Sequence, residues 1–254
     1  MWKWYDSHIT KIENETPSTK RFWLHVEGDE PIHFKAGQFV TMDLPISDKR
    51  TKRWRSYSIA SAPNSVEERN PDNIGKGVRD LEFCIVKAEN STGGSKYLFE
   101  EATIGTPIRF KGPDGGFTLK EPILEKDIVL ICTGTGVAPF RSMLWDIYNR
   151  QIPHGKIHLI FGTRREKDIL YRQEFENFEK LIPNFKYDIA LSREPNWQGT
   201  KGYVHAVYTE GYRHKRPNVA FYICGWANMI DDAVAKLMIE LGYEKSQIHY
   251  ELYG

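Results

Sequence analysis

Up to about Lys120, the apolar positions of this chain fall in short runs separated by turn residues. Arg21–Val26, Phe39–Leu44, Arg55–Ala60, Leu81–Lys87 and Pro107–Lys111 read as strands. That spacing predicts an antiparallel barrel or sandwich. Between Pro63 and Asp80 lies a polar stretch with Asn70-Pro71-Asp72-Asn73 and Gly75-Lys76-Gly77, which reads as a long surface loop within this half. After Pro122 the pattern changes. The apolar run Asp127–Cys132 is followed by Phe140, Met143, Leu144, Ile147 and Tyr148 at helical spacing, with Pro139 at the first helical position.

Lys156–Phe161, Lys186–Leu191, Val219–Cys224 and Ile248–Tyr253 supply further strands in this second half. Ile169–Ile182 and Met229–Leu241 carry helical stripes, the second ended by Gly242 as a left-handed cap. Apolar strands alternating with helices call for a parallel sheet covered on both faces. The expected fold class is therefore β + α/β, an N-terminal antiparallel β-barrel over residues 1–122 followed by a C-terminal parallel-sheet domain over residues 123–254.

Composition narrows the picture without choosing a function. The 254 residues suffice for one large domain or two ordinary ones, in the proportions of a globular protein. With 35 basic and 34 acidic side chains there is no global field toward nucleic acid or an anionic membrane, so a charged partner must meet a local patch. Three well-separated cysteines, Cys84, Cys132 and Cys224, fit reduced thiols better than a disulfide framework. They are too few for a plant-type iron–sulfur cluster, which takes four. The start Met1-Trp2-Lys3-Trp4-Tyr5 lacks the order of a signal peptide, and no apolar run approaches the ~20 residues of a membrane span. The expectation is a cytoplasmic protein without a membrane span.

The chemistry is concentrated in a few segments. In Arg55-Ser56-Tyr57-Ser58-Ile59-Ala60-Ser61, strand alternation puts Arg55 and Tyr57 on one face and Ser56 and Ser58 on the other. A guanidinium that pairs with phosphate beside a ring that packs on a flat heterocycle suits an extended flavin. The turn Thr133-Gly134-Thr135-Gly136-Val137-Ala138-Pro139 joins a parallel strand to its helix, so its glycines let backbone approach a pyrophosphate.

Open parallel sheets bind ligands beyond their carboxyl edge. Thr163-Arg164, Ser192-Arg193, Cys224-Gly225 and Tyr253 all follow or end strands there. Arg after a hydroxyl residue, with Lys201 and Tyr203 downstream, would clasp a 2′-phosphate and stack on an adenine. Gly93-Gly94-Ser95 before a short helix Lys96–Glu101 is a second phosphate cradle. Two cradles plus Arg55 exceed the needs of one mononucleotide and point to two dinucleotides.

These motifs, with Gly112-Pro113, Phe140-Arg141-Ser142, Leu170-Tyr171, Ser192-Arg193-Glu194 and Tyr222-Ile223-Cys224-Gly225, resemble in order the ferredoxin–NADP reductase family over nearly the whole chain. The resemblance implies an FAD-binding β-barrel and an NADP-binding α/β domain, with the two ligands meeting in a cleft. It implies hydride transfer between nicotinamide C4 and flavin N5, and one-electron exchange with a carrier such as ferredoxin or flavodoxin. Arg55 then corresponds to the FAD pyrophosphate ligand, Tyr57 to the ring on one flavin face, and Gly93, Gly94 and Ser95 to the second phosphate contact. Ile85-Val86-Lys87 corresponds to the strand beside the flavin.

Thr133, Gly134, Thr135, Gly136, Thr163, Arg164, Ser192, Arg193, Lys201, Tyr203 and Gly225 take the pyridine-nucleotide positions. Ser58, Cys224 and Glu251 resemble the polar groups of the hydride path, and Tyr253 the aromatic that covers the flavin. Two departures stand out: Thr92 replaces the first glycine of the second phosphate turn, and Gly254 extends past the terminal aromatic. The basic run Lys49-Arg50-Thr51-Lys52-Arg53 suits an acidic electron carrier and carries no nucleic-acid motif. Alternatives are an NADH-dependent reductase feeding an oxygenase, since Gly202-Tyr203-Val204 also resembles that branch, and a flavin-binding redox sensor or electron-transfer subunit.

Overall fold

The structure is a computed structural model and describes residues 3–64, 71–88, 93–120 and 126–252. It contains two compact units. The first comprises residues 1–119 and 138–151, and the second residues 120–137 and 152–254.

The first unit is built on strands β1 (Trp4–Thr16), β2 (Thr19–Val26), β3 (Phe39–Asp43), β4 (Trp54–Ser58), β5 (Asp80–Val86) and β6 (Pro107–Asp114). They form an antiparallel sheet in the order β4-β3-β6-β1-β2-β5. An antiparallel bridge between Ile59 and Phe83 joins its two edges, so the sheet closes into a barrel. Alternating side chains from every strand, including Ile9, Phe22, Leu24, Val40, Phe83 and Phe110, fill the interior.

The long strand β1 is missing from the apolar pattern because its outward positions are polar and two register shifts break its alternation. Helix α1 (Gly94–Glu100) packs Leu98 into the barrel core. Helix α2 (Val137–Arg150) belongs to this unit for all but its first residue. It starts two residues before the position expected from Pro139, which still falls in the first turn, where a missing N–H costs nothing.

The second unit is a parallel sheet of β7 (Asp127–Thr133), β8 (Ile157–Thr163), β9 (Phe185–Leu191), β10 (Thr200–Lys201), β11 (Val219–Gly225) and β12 (Ile248–Leu252). Their spatial order is β10-β9-β8-β7-β11-β12. Chain order reverses between β7 and β11, the switch point where open sheets leave a crevice at the carboxyl edge. Helices α3 (Arg172–Leu181), α4 (His205–Gly211) and α5 (Ala227–Ala235) complete it. After α5 a π-helical turn over Lys236–Glu240 runs to Gly242 at φ +72°, and the Tyr243 N–H donates to the Leu237 carbonyl at 2.9 Å. The expected left-handed cap is there. Neither the two-residue strand β10 nor helix α4 stands out in the sequence, being too short to establish a period.

Candidate functional site

In the first unit, β4 pairs with β3 so that Arg55 lies opposite Met42 and Tyr57 opposite Val40. Directly opposed residues share a face, so both point to the side of the core, while Ser56 lies on the other face with its hydroxyl 3.0 Å from that of Thr41. Arg55 Nη1 donates to the carbonyls of Lys52 at 3.0 Å and Trp54 at 2.8 Å, which fixes the guanidinium. Its remaining surface meets the turn at the head of α1. A Cβ on Gly93 would stand 2.8 Å from Arg55 Nη2, and one on Gly94 would stand 2.7 Å from both Arg55 Cγ and Tyr57 Oη. Bare backbone is what lets this turn close onto the strand. Burial pushes the Tyr57 phenol up to about 12, so it stays neutral.

Arg55, Tyr57, Gly93 and Gly94 thus converge from distant parts of the sequence, with Ser95 next in α1. Ser58 ends β4 opposite Phe39, half-buried, and its hydroxyl has no hydrogen-bond partner among the described residues. Ile85 turns into the barrel core, Val86 is half-buried, and Lys87 Nζ pairs with Glu100 at 2.9 Å, leaving chiefly backbone to face a ligand there. Thr92 lies outside the described residues.

In the second unit, the turn after β7 is a single 3₁₀ turn over Gly134–Gly136 with Gly134 at φ +52°. A Cβ on Gly136 would stand 2.3 Å from the Cys224 carbonyl oxygen, and one on Gly225 would stand 2.6 Å from Thr133 Oγ1. Gly136 therefore packs backbone to backbone on Cys224, and Gly225 packs against the Thr133 side chain, at the switch point, with Thr135 inside the same turn. Cys224 is wholly buried, and burial raises its thiol well above the ordinary range and holds it neutral. Glu251 is its register partner on β12. Burial raises the Glu251 carboxyl to about 7. Tyr253 and Gly254 lie outside the described residues.

Two backbone bonds prolong the β8–β9 ladder past the strand ends, Ser192 N–H to the Thr163 carbonyl at 3.1 Å and Arg193 N–H to the Arg164 carbonyl at 2.8 Å. They set Arg164 and Arg193 side by side, and β10 brings Lys201 beside Leu191. Arg193 and Lys201 are exposed and make no ion pair among the described residues. Tyr203 is 72% exposed, a large ring left in water.

Sequence reasoning missed Gly162. A Cβ there would stand 2.5 Å from Val204 Cγ1 and 3.2 Å from Thr133 Cγ2, so this glycine lets the Tyr203 segment close against the β7 turn. A glycine inside an apolar strand was the available signal.

Residues 6–119 match the family model of the oxidoreductase FAD-binding domain, and residues 130–235 that of the oxidoreductase NAD-binding domain. The chain is 31% identical over 255 residues to ferredoxin–NADP reductase B of Sorangium cellulosum, covering 98% of this chain and 97% of that protein. The chain belongs to the ferredoxin–NADP reductase family. It is an FAD-dependent oxidoreductase that uses a nicotinamide nucleotide.

Another relative of this family member, 28% identical over 237 residues, is the reductase component of phenol 2-monooxygenase from a Pseudomonas species, of which the chain spans 61%. Among solved structures, a ferredoxin NADP+ reductase from Neisseria gonorrhoeae with bound FAD and NADP shares the fold, with TM-score 0.78, 23% identity and coverage of 98% of each chain. No described helix is long and apolar enough to cross a membrane.

Proposed function

We propose that this reductase exchanges electrons between NADP(H) and a one-electron carrier protein, ferredoxin or flavodoxin, through bound FAD. The observation that carries the NADP assignment is the set of Arg164, Arg193 and Lys201 beside exposed Tyr203, with no carboxylate on Arg193 or Lys201 among the described residues. A site for the 2′-hydroxyl of NAD calls for an acidic acceptor, whereas cations suit a 2′-phosphate.

The first unit fits FAD because the Gly93–Gly94 turn excludes any Cβ and meets the fixed Arg55 guanidinium, a donor set for a diphosphate. In this reading Arg55, Gly93, Gly94 and Ser95 hold the phosphates, Tyr57 packs on the ring system, and Ser56, Ser58, Ile85, Val86 and Lys87 border it. Bound FAD supplies the exchange between two-electron hydride and one-electron chemistry. Thr133 to Gly136, Thr163, Ser192 and Gly225 hold the pyridine nucleotide, with Cys224 as a small neutral neighbour. Glu251 Oε, titrating near neutrality, holds or releases a proton, and Tyr253 covers the ring. In this reading residues 1–122 are the FAD domain and residues 123–254 the nucleotide domain, although residues 138–151 of the latter belong to the first compact unit.

The run at Lys49–Arg53 is the carrier's landing point. Lys49, Arg50 and Lys52 are exposed, although Arg53 is already paired with Asp43 at 2.8 Å. Buried free thiols at Cys84, Cys132 and Cys224 support a reducing, cytoplasmic setting. The likeness to an oxygenase reductase component supports a second reading, in which the chain feeds an oxygenase; NADH is the donor that this reading proposes. Steady-state kcat/KM for NADPH and NADH decides between them: NADPH is favoured at least tenfold in the first reading, and a preference for NADH overturns it. Screening ferredoxins and flavodoxins for rapid reduction identifies the carrier.

A further inference from the structure

Within the first unit lies a buried ionic cluster that none of the roles above uses. Arg141 in α2 is 1% exposed and Glu82 in β5 is 0% exposed. Arg141 Nη1 donates to Glu82 Oε2 at 2.9 Å and to the Ala60 carbonyl at 2.9 Å. Arg21 Nε donates to the other carboxylate oxygen, Oε1, at 2.6 Å. One carboxylate is thus held between two guanidinium groups. Buried ionic clusters seldom add net stability over well-packed apolar residues, because desolvation offsets their attraction. What this cluster contributes is a fixed set of bonds to the backbone.

The geometry they set concerns the end of the flavin strand. Ala60 N–H donates to the Glu82 carbonyl at 2.8 Å, Glu82 N–H to Ser61 Oγ at 3.0 Å, and Ser142 Oγ to the Ser61 carbonyl at 2.7 Å. Every one of these bonds acts on Ala60 or Ser61, the residues just past Ser58 and Ile59. The Ala60 N–H bond to Glu82 belongs to the Ile59–Phe83 bridge that closes the barrel, and the other two bonds extend that closure by one residue. We propose that Arg141, with Glu82 as its counter-ion, is a positioning residue that sets where Ser58 and Tyr57 stand against the flavin ring. Its side chain holds the strand end through the Ala60 carbonyl and touches no ligand.

The proposal rests on FAD lying against β4, and the test separates the two. Arg141→Met and Arg141→Lys are compared with Arg55→Ala by FAD affinity of the apoprotein, visible circular dichroism of bound flavin, anaerobic flavin reduction by NADPH, and melting temperature. For Arg141→Met, FAD affinity is expected to stay within about tenfold. Its flavin dichroism changes and flavin reduction slows by about 10- to 100-fold, the scale of an ångström-sized misplacement. Arg141→Lys restores most of both.

Unchanged dichroism and reduction rate per FAD-loaded molecule, with only a lower melting temperature, overturn the proposal. Loss of FAD from folded Arg141→Met does so too, since that marks a residue that builds the site. If Arg141→Met does not fold, Ser142→Ala decides the same question: a smaller change of the same dichroism supports the proposal, and none defeats it. If Arg55→Ala binds FAD normally, the failure lies with the flavin reading.

Discussion

The FAD side and the nucleotide side of this reductase are built on opposite physical plans. Around β4, Arg55 is tied to two carbonyls, Tyr57 is buried enough to stay neutral, and glycine backbone presses onto both. Around β8 to β10, Arg193 and Lys201 extend into water, and Tyr203 presents most of its ring to it. A pre-formed, half-buried wall loses little entropy on binding and suits a group that stays. Exposed flexible cations must be ordered at each encounter and are screened by salt, which suits a ligand that comes and goes. The difference predicts that residence follows from how much of the site is ordered beforehand, more than from how many charges it has.

The hardest blow to the comparison falls on the pre-formed side. Arg55→Ala removes a charge-assisted fork and is expected to weaken FAD binding by about 100-fold, roughly 3 kcal/mol, by fluorescence titration of apoprotein. Salt should alter that affinity only slightly. A large salt dependence would mean that the FAD side is not pre-formed.

Next comes Glu251, a titratable group of the second unit that burial governs. Its carboxyl is raised from 4.5 to about 7 by burial, so the folded state binds the proton more tightly than the unfolded chain does. Stability contributed there is present below about 4.5 and lost as pH rises through about 7. Glu251→Gln is therefore expected to match the parent at pH 4.5 and to exceed it at pH 8 by at most about 3 kcal/mol, read by urea unfolding. A constant difference across pH would show that Glu251 titrates normally.

On the exposed side the effects are smaller and depend on salt. Arg193→Ala or Lys201→Ala should each lower kcat/KM for NADPH by about tenfold and leave NADH within about twofold, with the loss shrinking at high ionic strength. Equal losses for both nucleotides would place these cations on a shared part of the ligand. Smallest is charge reversal at Lys49, Arg50, Lys52 and Arg53. It should slow reduction of an acidic carrier several-fold at low salt and little at high salt, through the association rate. No change at low salt would remove the carrier from this face.

What the sequence carried by itself was local. Alternation marked Arg55 and Tyr57 as one face of a strand, glycines marked the turns at Gly93–Gly94 and Gly134–Gly136, and the apolar runs marked β7, β8, β9 and β11. Each depends on neighbours a few residues apart, so each is written in the chain. Strand β1 escaped because its polar outer face and bulges hide a period of two.

Only the tertiary structure decided which distant groups meet and which are sealed from water. Cys224 and Glu251 both read as candidates for the hydride path; only the fold buries the Cys224 thiol beside β7 and moves the Glu251 titration to about 7. Arg141 stands in the Phe140-Arg141-Ser142 motif and Glu82 far from it in the chain, and folding makes them a buried pair. Desolvation and long-range pairing depend on the whole fold around a residue, and no window of sequence contains them.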